Sequence, residues 1–232
     1  MNKNVFIFWS GGLDSTSLIH KNLEAGNKVT TAYINITSND NQTLSELHSM
    51  ESMISYFQKY EKFTYNGILS DIHYYKYKNC SNFPLGYIPI LIMNIASFIM
   101  GANFDEIQIG YVLGDDAVAH LFELENLYRG YQEFFIDSWS KYKNAGLNKK
   151  YGFPELKFPF YQVSKIRLIK KLPEELLAHI SFCENPKRMN SNEFKPCGKC
   201  SCCLKMIDTL NLGFKKDDIG KMMKMFHLPS KK

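Results

Sequence analysis

Apolar residues run without a break through Val5-Phe6-Ile7-Phe8-Trp9, the pattern of a strand buried on both faces of a sheet. Ser10-Gly11-Gly12 interrupts the run, and from Asp14 to Ala25 the period changes. Leu18, Ile19 and Leu23 fall on one side of a helix that Gly26 is placed to stop. Val29–Ile36 predicts a second strand, Thr43–Lys59 a long amphipathic helix and Phe63–Leu69 a third strand. Ile88–Ala102 is the most apolar stretch, but it carries Asn94 and Ser97 and falls short of the about 20 residues that a membrane span needs. It predicts a buried helix. Glu106–Tyr111 adds a strand that ends in a turn at Gly114-Asp115-Asp116, and Glu123–Tyr142 an aromatic-rich helix. Asn144–Pro159 reads as a loop-rich insertion, and two short basic helical patterns close the sequence.

Strands alternating with helices predict a parallel sheet covered on both faces, a Rossmann-like α/β fold. In such sheets ligands sit beyond the carboxyl ends of the strands. The reading divides the chain at residues 1–178, an α/β nucleotide-binding domain, and 179–232, a cysteine-bearing C-terminal segment.

The 232 residues are 45% hydrophobic and 22% charged, which suits one substantial core in a soluble enzyme. The net charge of +5 fits a protein that handles anionic ligands and is too small to predict nucleic-acid binding. The opening residues lack the charged leader and cleavage site of a secretory signal. Of six cysteines, all but Cys80 lie between Cys183 and Cys203, a clustering that predicts metal binding in the cytoplasm rather than disulfides.

Ser10-Gly11-Gly12-Leu13-Asp14-Ser15-Thr16 lies between a predicted strand and a predicted helix. Two glycines let the backbone approach a ligand closely, and the first amides of a helix are unpaired and partly positive. With the hydroxyls of Ser10, Ser15 and Thr16, they make a nest for an anion. The string has no Gly-Lys-Ser/Thr and no Gly-x-Gly-x-x-Gly, so it is neither a Walker loop nor a dinucleotide fingerprint. It resembles the Ser-Gly-Gly-x-Asp-Ser signature of the PP-loop ATP pyrophosphatases. That resemblance implies an adenine nucleotide alpha hydrolase-like fold, ATP cleaved to AMP and pyrophosphate, and adenylation of a substrate oxygen. It places Phe8, Trp9, Ser10, Gly11, Gly12, Leu13, Asp14, Ser15 and Thr16 around the nucleotide, gives Asp14 a catalytic role with Mg2+, and puts Tyr33–Asn35 near adenine.

Cys197-x-x-Cys200-x-x-Cys203, with Cys183 upstream, supplies four thiolates at the spacing of a structural zinc knuckle. Cys202 is an alternative to Cys203, and an iron–sulfur cluster also accepts four cysteines.

Loop and knuckle together resemble the 7-cyano-7-deazaguanine synthases. Pro159-Phe160 and Ser164-Lys165 match a family segment, Gly110 its strand-ending glycine beside the nucleotide, and the cysteines and Gly198 its zinc motif. The resemblance implies a homodimer that adenylates 7-carboxy-7-deazaguanine, with Lys165 as a mobile catalytic charge on the phosphates. Ammonia would then displace AMP to give an amide, and a second adenylation would give the nitrile. The chain departs from the family around the substrate. Tyr87-Ile88-Pro89-Ile90-Leu91-Ile92 has aliphatics in place of an Arg and an Asn, Asp115–His120 lacks Tyr-Pro-Asp-Cys-Arg, and Asn35–Leu44 lacks the motif that follows the second strand. Some similar proteins in bacterial anti-phage operons attach a deazaguanine through an amide to the N-terminus of a partner protein, and a rebuilt pocket beside ordinary ATP machinery fits that role. The alternatives are the ordinary ammonia-using synthase, a tRNA-modifying PP-loop enzyme, and a nucleic-acid-binding knuckle on a vestigial nucleotide fold. No cysteine precedes Cys80, which argues against a thiolase.

Overall fold

The computed structural model describes residues 2–35, 39–71, 96, 103–141, 153–190 and 193–229. Five parallel strands form the sheet: β1 (Asn4–Phe8), β2 (Lys28–Asn35), β3 (Phe63–Asp71), β4 (Glu106–Gln108) and β5 (Glu155–Lys157), in the order β3-β2-β1-β4-β5. In register, Val5 faces Val29 on one side and Glu106 on the other.

The two-residue period of β1 divides the core. Val5, Ile7 and Trp9 point to one face, where they join Leu18 and Ile19 of α1 (Leu13–Glu24) and Met50, Met53 and Phe57 of α2 (Asp40–Phe57). Phe6 points to the other, with Leu124 and Tyr128 of α3 (Leu121–Lys141) and Ala96. Two right-handed crossovers leading outward from β1 through β2 to β3 put α1 and α2 on the same face. On the other side of β1 the order runs outward through β4 to β5, and α3 between them covers the opposite face. The fold is therefore a Rossmann-like α/β fold with helices on both faces.

Of the stretch read as a buried helix at Ile88–Ala102, only Ala96 is among the described residues, and it is helical and fully buried. The rest of that stretch, including Tyr87–Ile92 of the departing motif, lies outside them. The segment read as a loop-rich insertion contributes β5 at its end, an edge strand. Three residues are too few for a strand period to show in sequence.

After β5 the chain returns to the α1 face through α4 (Lys165–Lys171), which packs on α1, and α5 (Glu174–Leu177). An antiparallel hairpin of β6 (Lys187–Asn190) and β7 (Glu193–Lys195) precedes α6 (Ser201–Gly213) and α7 (Lys216–Met225). These last helices are the two basic helical patterns of the sequence. Met206, Ile207, Leu210, Met222 and Met223 enter the same apolar cluster as Leu18 and Ile19, so the C-terminal segment shares the core of the α1 face. Among the described residues no helix is long and apolar enough to cross a membrane.

Candidate nucleotide loop and metal centre

Ser10, Gly11 and Gly12 leave β1 where the strand order reverses, the point at which open α/β sheets take their ligands. Gly11 has φ of 69°, a left-handed conformation open to glycine. A Cβ there would sit 2.7 Å from Ser49 Oγ and 3.0 Å from the Glu46 carbonyl oxygen. The first α1 bond runs from the Thr16 amide to the Gly12 carbonyl, so the amides of Leu13, Asp14 and Ser15 precede the helix ladder. Ser15 Oγ lies 3.4 Å from Ser10 Oγ and donates to the Gly12 carbonyl at 3.3 Å.

Not every predicted ligand group faces the loop. Trp9 and Leu13 are core residues, so what they offer an anion is backbone. Trp9 Nε1 donates to Thr16 Oγ1 at 3.0 Å, and Thr16 is fully buried, which fixes the base of the loop. Phe8 packs on the other face, edge-on to Phe6. Tyr33 donates to Glu46 at 2.7 Å and Asn35 accepts from Thr43, tying the end of β2 to the start of α2. Gly110 follows β4 and owes its identity to α1: a Cβ would come within 3.0 Å of the Asp14 carbonyl carbon and 3.1 Å of the Ser15 amide nitrogen.

The two predicted catalytic residues meet. Lys165 Nζ, on the first residue of α4, donates to Asp14 Oδ2 at 3.1 Å and lies 3.4 Å from Asp115 Oδ1. Asp115 is held by a turn in which its amide bonds the Val112 carbonyl and its carboxylate accepts from the Val112 amide at 3.1 Å. Burial pushes the Asp14 carboxyl up to about 6; Lys165 pulls against that rise and Asp115 adds to it. Burial works against the charge on Lys165, but the two carboxylates outweigh it and hold the ammonium above its ordinary range. A lysine anchored this way stays charged. Asp115 is the partner that sequence gave no reason to single out from Asp116 and His120 beside it. The signal it carries is the turn glycine before it, Gly114, at φ of 91°.

The loop is braced from behind. The Gly11 carbonyl accepts from Ser49 Oγ and from the Ser181 amide, each at 3.0 Å, and Ser49 Oγ also reaches the His179 carbonyl. Asn39 Nδ2 donates to the Glu184 carbonyl at 2.7 Å. Residues 179–184 therefore clamp the loop to α2 and lead directly into the cysteines.

Cys183, Cys197, Cys200 and Cys203 bring their sulfurs within 4.8 Å of one another. The Cys183–Cys200 and Cys197–Cys203 separations are 3.8 and 4.0 Å. A regular tetrahedron of sulfurs about 2.3 Å from one ion has edges of roughly 3.8 Å, so the residues fit a single metal ion. Amides of Cys197, Cys200 and Cys203 point at the sulfurs of Cys183, Cys197 and Cys200, at 3.2 to 3.4 Å, as the outer shell of a thiolate site does. Burial pushes the Cys183 thiol up to about 11. Burial acts the same way on Cys197, yet the amides of Lys199 and Cys200 bring it down to about 7. Cys202 turns away and bonds Glu184 at 3.3 Å, so the four-cysteine set is the one with Cys203.

No family model and no curated protein matches the sequence. Among solved structures, the fold is similar to the U34-tRNA thiolase NcsA from Methanococcus maripaludis with its [4Fe-4S] cluster, at 14% identity and a TM-score of 0.48, over 97% of this chain and 70% of that one.

Proposed function

We propose that the chain is an ATP-dependent ligase that adenylates the carboxyl group of a 7-deazaguanine and passes the acyl group to an amine. The observation that carries this reading is the Lys165–Asp14 ion pair at the phosphate loop. It joins two residues 151 positions apart, and it does so at the switch point of the sheet. In this reading the Leu13–Ser15 amides and the Ser10 and Ser15 hydroxyls hold the β- and γ-phosphates. Asp14 would hold the Mg2+ that accompanies ATP, which would supply charge neutralisation on the phosphates. Lys165 follows the charge that builds on the departing pyrophosphate, and Gly110 lets the end of β4 close against the loop. The enzyme contributes position and charge neutralisation rather than a covalent intermediate.

The knuckle holds structural Zn2+. The sulfur spacing supports one ion, since a four-iron cluster sets each thiolate on a different iron and needs a wider cage. A closed four-thiolate site leaves no position for chemistry, so its work is to fasten residues 179–232 onto the nucleotide domain. The acceptor we favour is an amine of a partner protein, because Tyr87–Ile92 and Asp115–His120 lack the side chains that the ammonia-using synthases place around their substrate.

The test is pyrophosphate exchange into ATP by the purified protein with 7-carboxy-7-deazaguanine and Mg2+, followed by product mass with ammonia supplied. Acid-dependent exchange is expected, with AMP and amide as products. Nitrile at full rate would return the chain to the ordinary synthases, and absence of acid-dependent exchange would overturn the adenylation reading.

A further inference from the structure

The residue after Gly110 has a property that the nucleotide chemistry does not use. Along β4 and beyond it the side chains alternate: Gln108 bonds Asn22 of α1, Gly110 abuts Asp14, and Val112 joins the α1-side core. Ile107, Ile109 and Tyr111 face the other way. Tyr111 thus stands just past the carboxyl end of β4, across the sheet from the phosphate loop. Its ring stacks on Phe158, which follows β5, with centroids 5.9 Å apart and planes 17° from parallel. The two rings crown the ends of neighbouring strands.

The hydroxyl of Tyr111 is closed off from solvent and has no hydrogen-bond partner. A buried polar group without a partner is uncommon and costs stability. Tyr128, a buried tyrosine on the same face, donates to the Pro154 carbonyl at 2.8 Å. Burial and the charge of Asp115 both raise the Tyr111 phenol well above its ordinary range, so it remains a neutral donor at any working pH. Asp14 Oδ1 is also buried without a partner.

We propose that the Tyr111 hydroxyl is a specificity-determining donor, reserved for an oxygen of the acid substrate, which completes the missing hydrogen bond. This rests on the adenylation reading. The substrate class is a planar heterocyclic acid: its ring lies against the Tyr111–Phe158 pair, and one of its oxygens accepts from the phenol. A site with a buried donor rejects analogues that leave the donor unpaired far more strongly than an apolar site can.

The experiment is Tyr111→Phe, which removes one oxygen atom, with Tyr128→Phe beside it. Binding of 7-carboxy-7-deazaguanine is measured by calorimetry in the presence of α,β-methylene-ATP, together with Kd for that nucleotide and Tm. Tyr111→Phe is expected to weaken the acid at least tenfold, leave nucleotide affinity within twofold, and keep or raise Tm, since the atom it removes is unpaired. Tyr128→Phe is expected to lower Tm and leave acid binding unchanged. Acid binding unaffected by Tyr111→Phe, or a Tm loss like that of Tyr128→Phe, overturns the proposal while leaving the adenylation reading intact. A wild-type protein that binds the nucleotide but not the acid overturns both.

Discussion

The Ser49 hydroxyl lies 3.0 Å from the carbonyl oxygen of Gly11, in the space that any side chain at position 11 would need. Gly11→Ala therefore meets two penalties, a left-handed backbone and a collision 2.7 Å from Ser49 Oγ. Strain of this kind costs about 1–3 kcal/mol. The expected result is a lower Tm and loss of measurable ATP binding, read by denaturation and calorimetry. Ser49→Ala should cost about 1 kcal/mol and weaken ATP by a smaller factor, because the Ser181 amide still holds the carbonyl.

Asp14 sets a pH dependence. The carboxyl titrates near 6 rather than at its ordinary 3.8, chiefly because it is buried. If the carboxylate is the working form, acid-dependent pyrophosphate exchange falls about tenfold per unit below that value. The stability effect has the opposite sense. Between pH 4 and 6 the unfolded chain has released this proton and the folded one retains it, so wild-type stability relative to Asp14→Asn declines as pH rises through that window. The midpoint should move down in Asp115→Asn, which removes a charge that raises it, and up in Lys165→Met, which removes one that lowers it. Carboxyl NMR titration checks both directions.

Lys165→Ala should lower the exchange rate by roughly 10²–10³ if the ammonium stabilises departing pyrophosphate. Lys165→Arg should restore little, since a planar guanidinium cannot replace a compact ammonium between two carboxylates. Single-turnover exchange separates this loss from any change in ATP affinity.

Metal analysis of the purified protein should give one zinc per chain, with no absorbance from iron–sulfur charge transfer. Cys203→Ser places a poorer ligand in a fully buried position. It is expected to lose the metal and roughly 3 kcal/mol or more, a Tm drop of about 6–12 °C for a chain of this size. Cys202→Ser should keep the metal, because that thiol bonds Glu184 instead.

The sequence made the centre of this molecule readable because several signals coincide there. The β1 run, the double glycine and the period of Leu18, Ile19 and Leu23 all predict strand, turn and helix, and they are found as Asn4–Phe8, Gly11-Gly12 and Leu13–Glu24. The four cysteines were equally legible, since knuckle spacing constrains where sulfurs can go. What escaped was non-local or weakly patterned. Asp115 and Asp116 are identical in composition, and only the turn at Gly114 decides which of them reaches Lys165. The β6–β7 hairpin escaped because every described residue of β6 is exposed, so no apolar alternation marks it. Thr16 looked like a phosphate donor from its position, whereas its hydroxyl serves the Trp9 indole.

The clamp on the loop also imposes an order on synthesis. Residues 10–16 are synthesised well before the Ser181 amide that holds the Gly11 carbonyl, which lies some 170 residues later, and the cluster of sulfurs beside that segment runs to Cys203. A nascent chain therefore cannot complete this clamp until the residues through Cys203 have been made. On the proposed function, products that stop before Cys203, and those made under zinc starvation, would be unable to consume ATP.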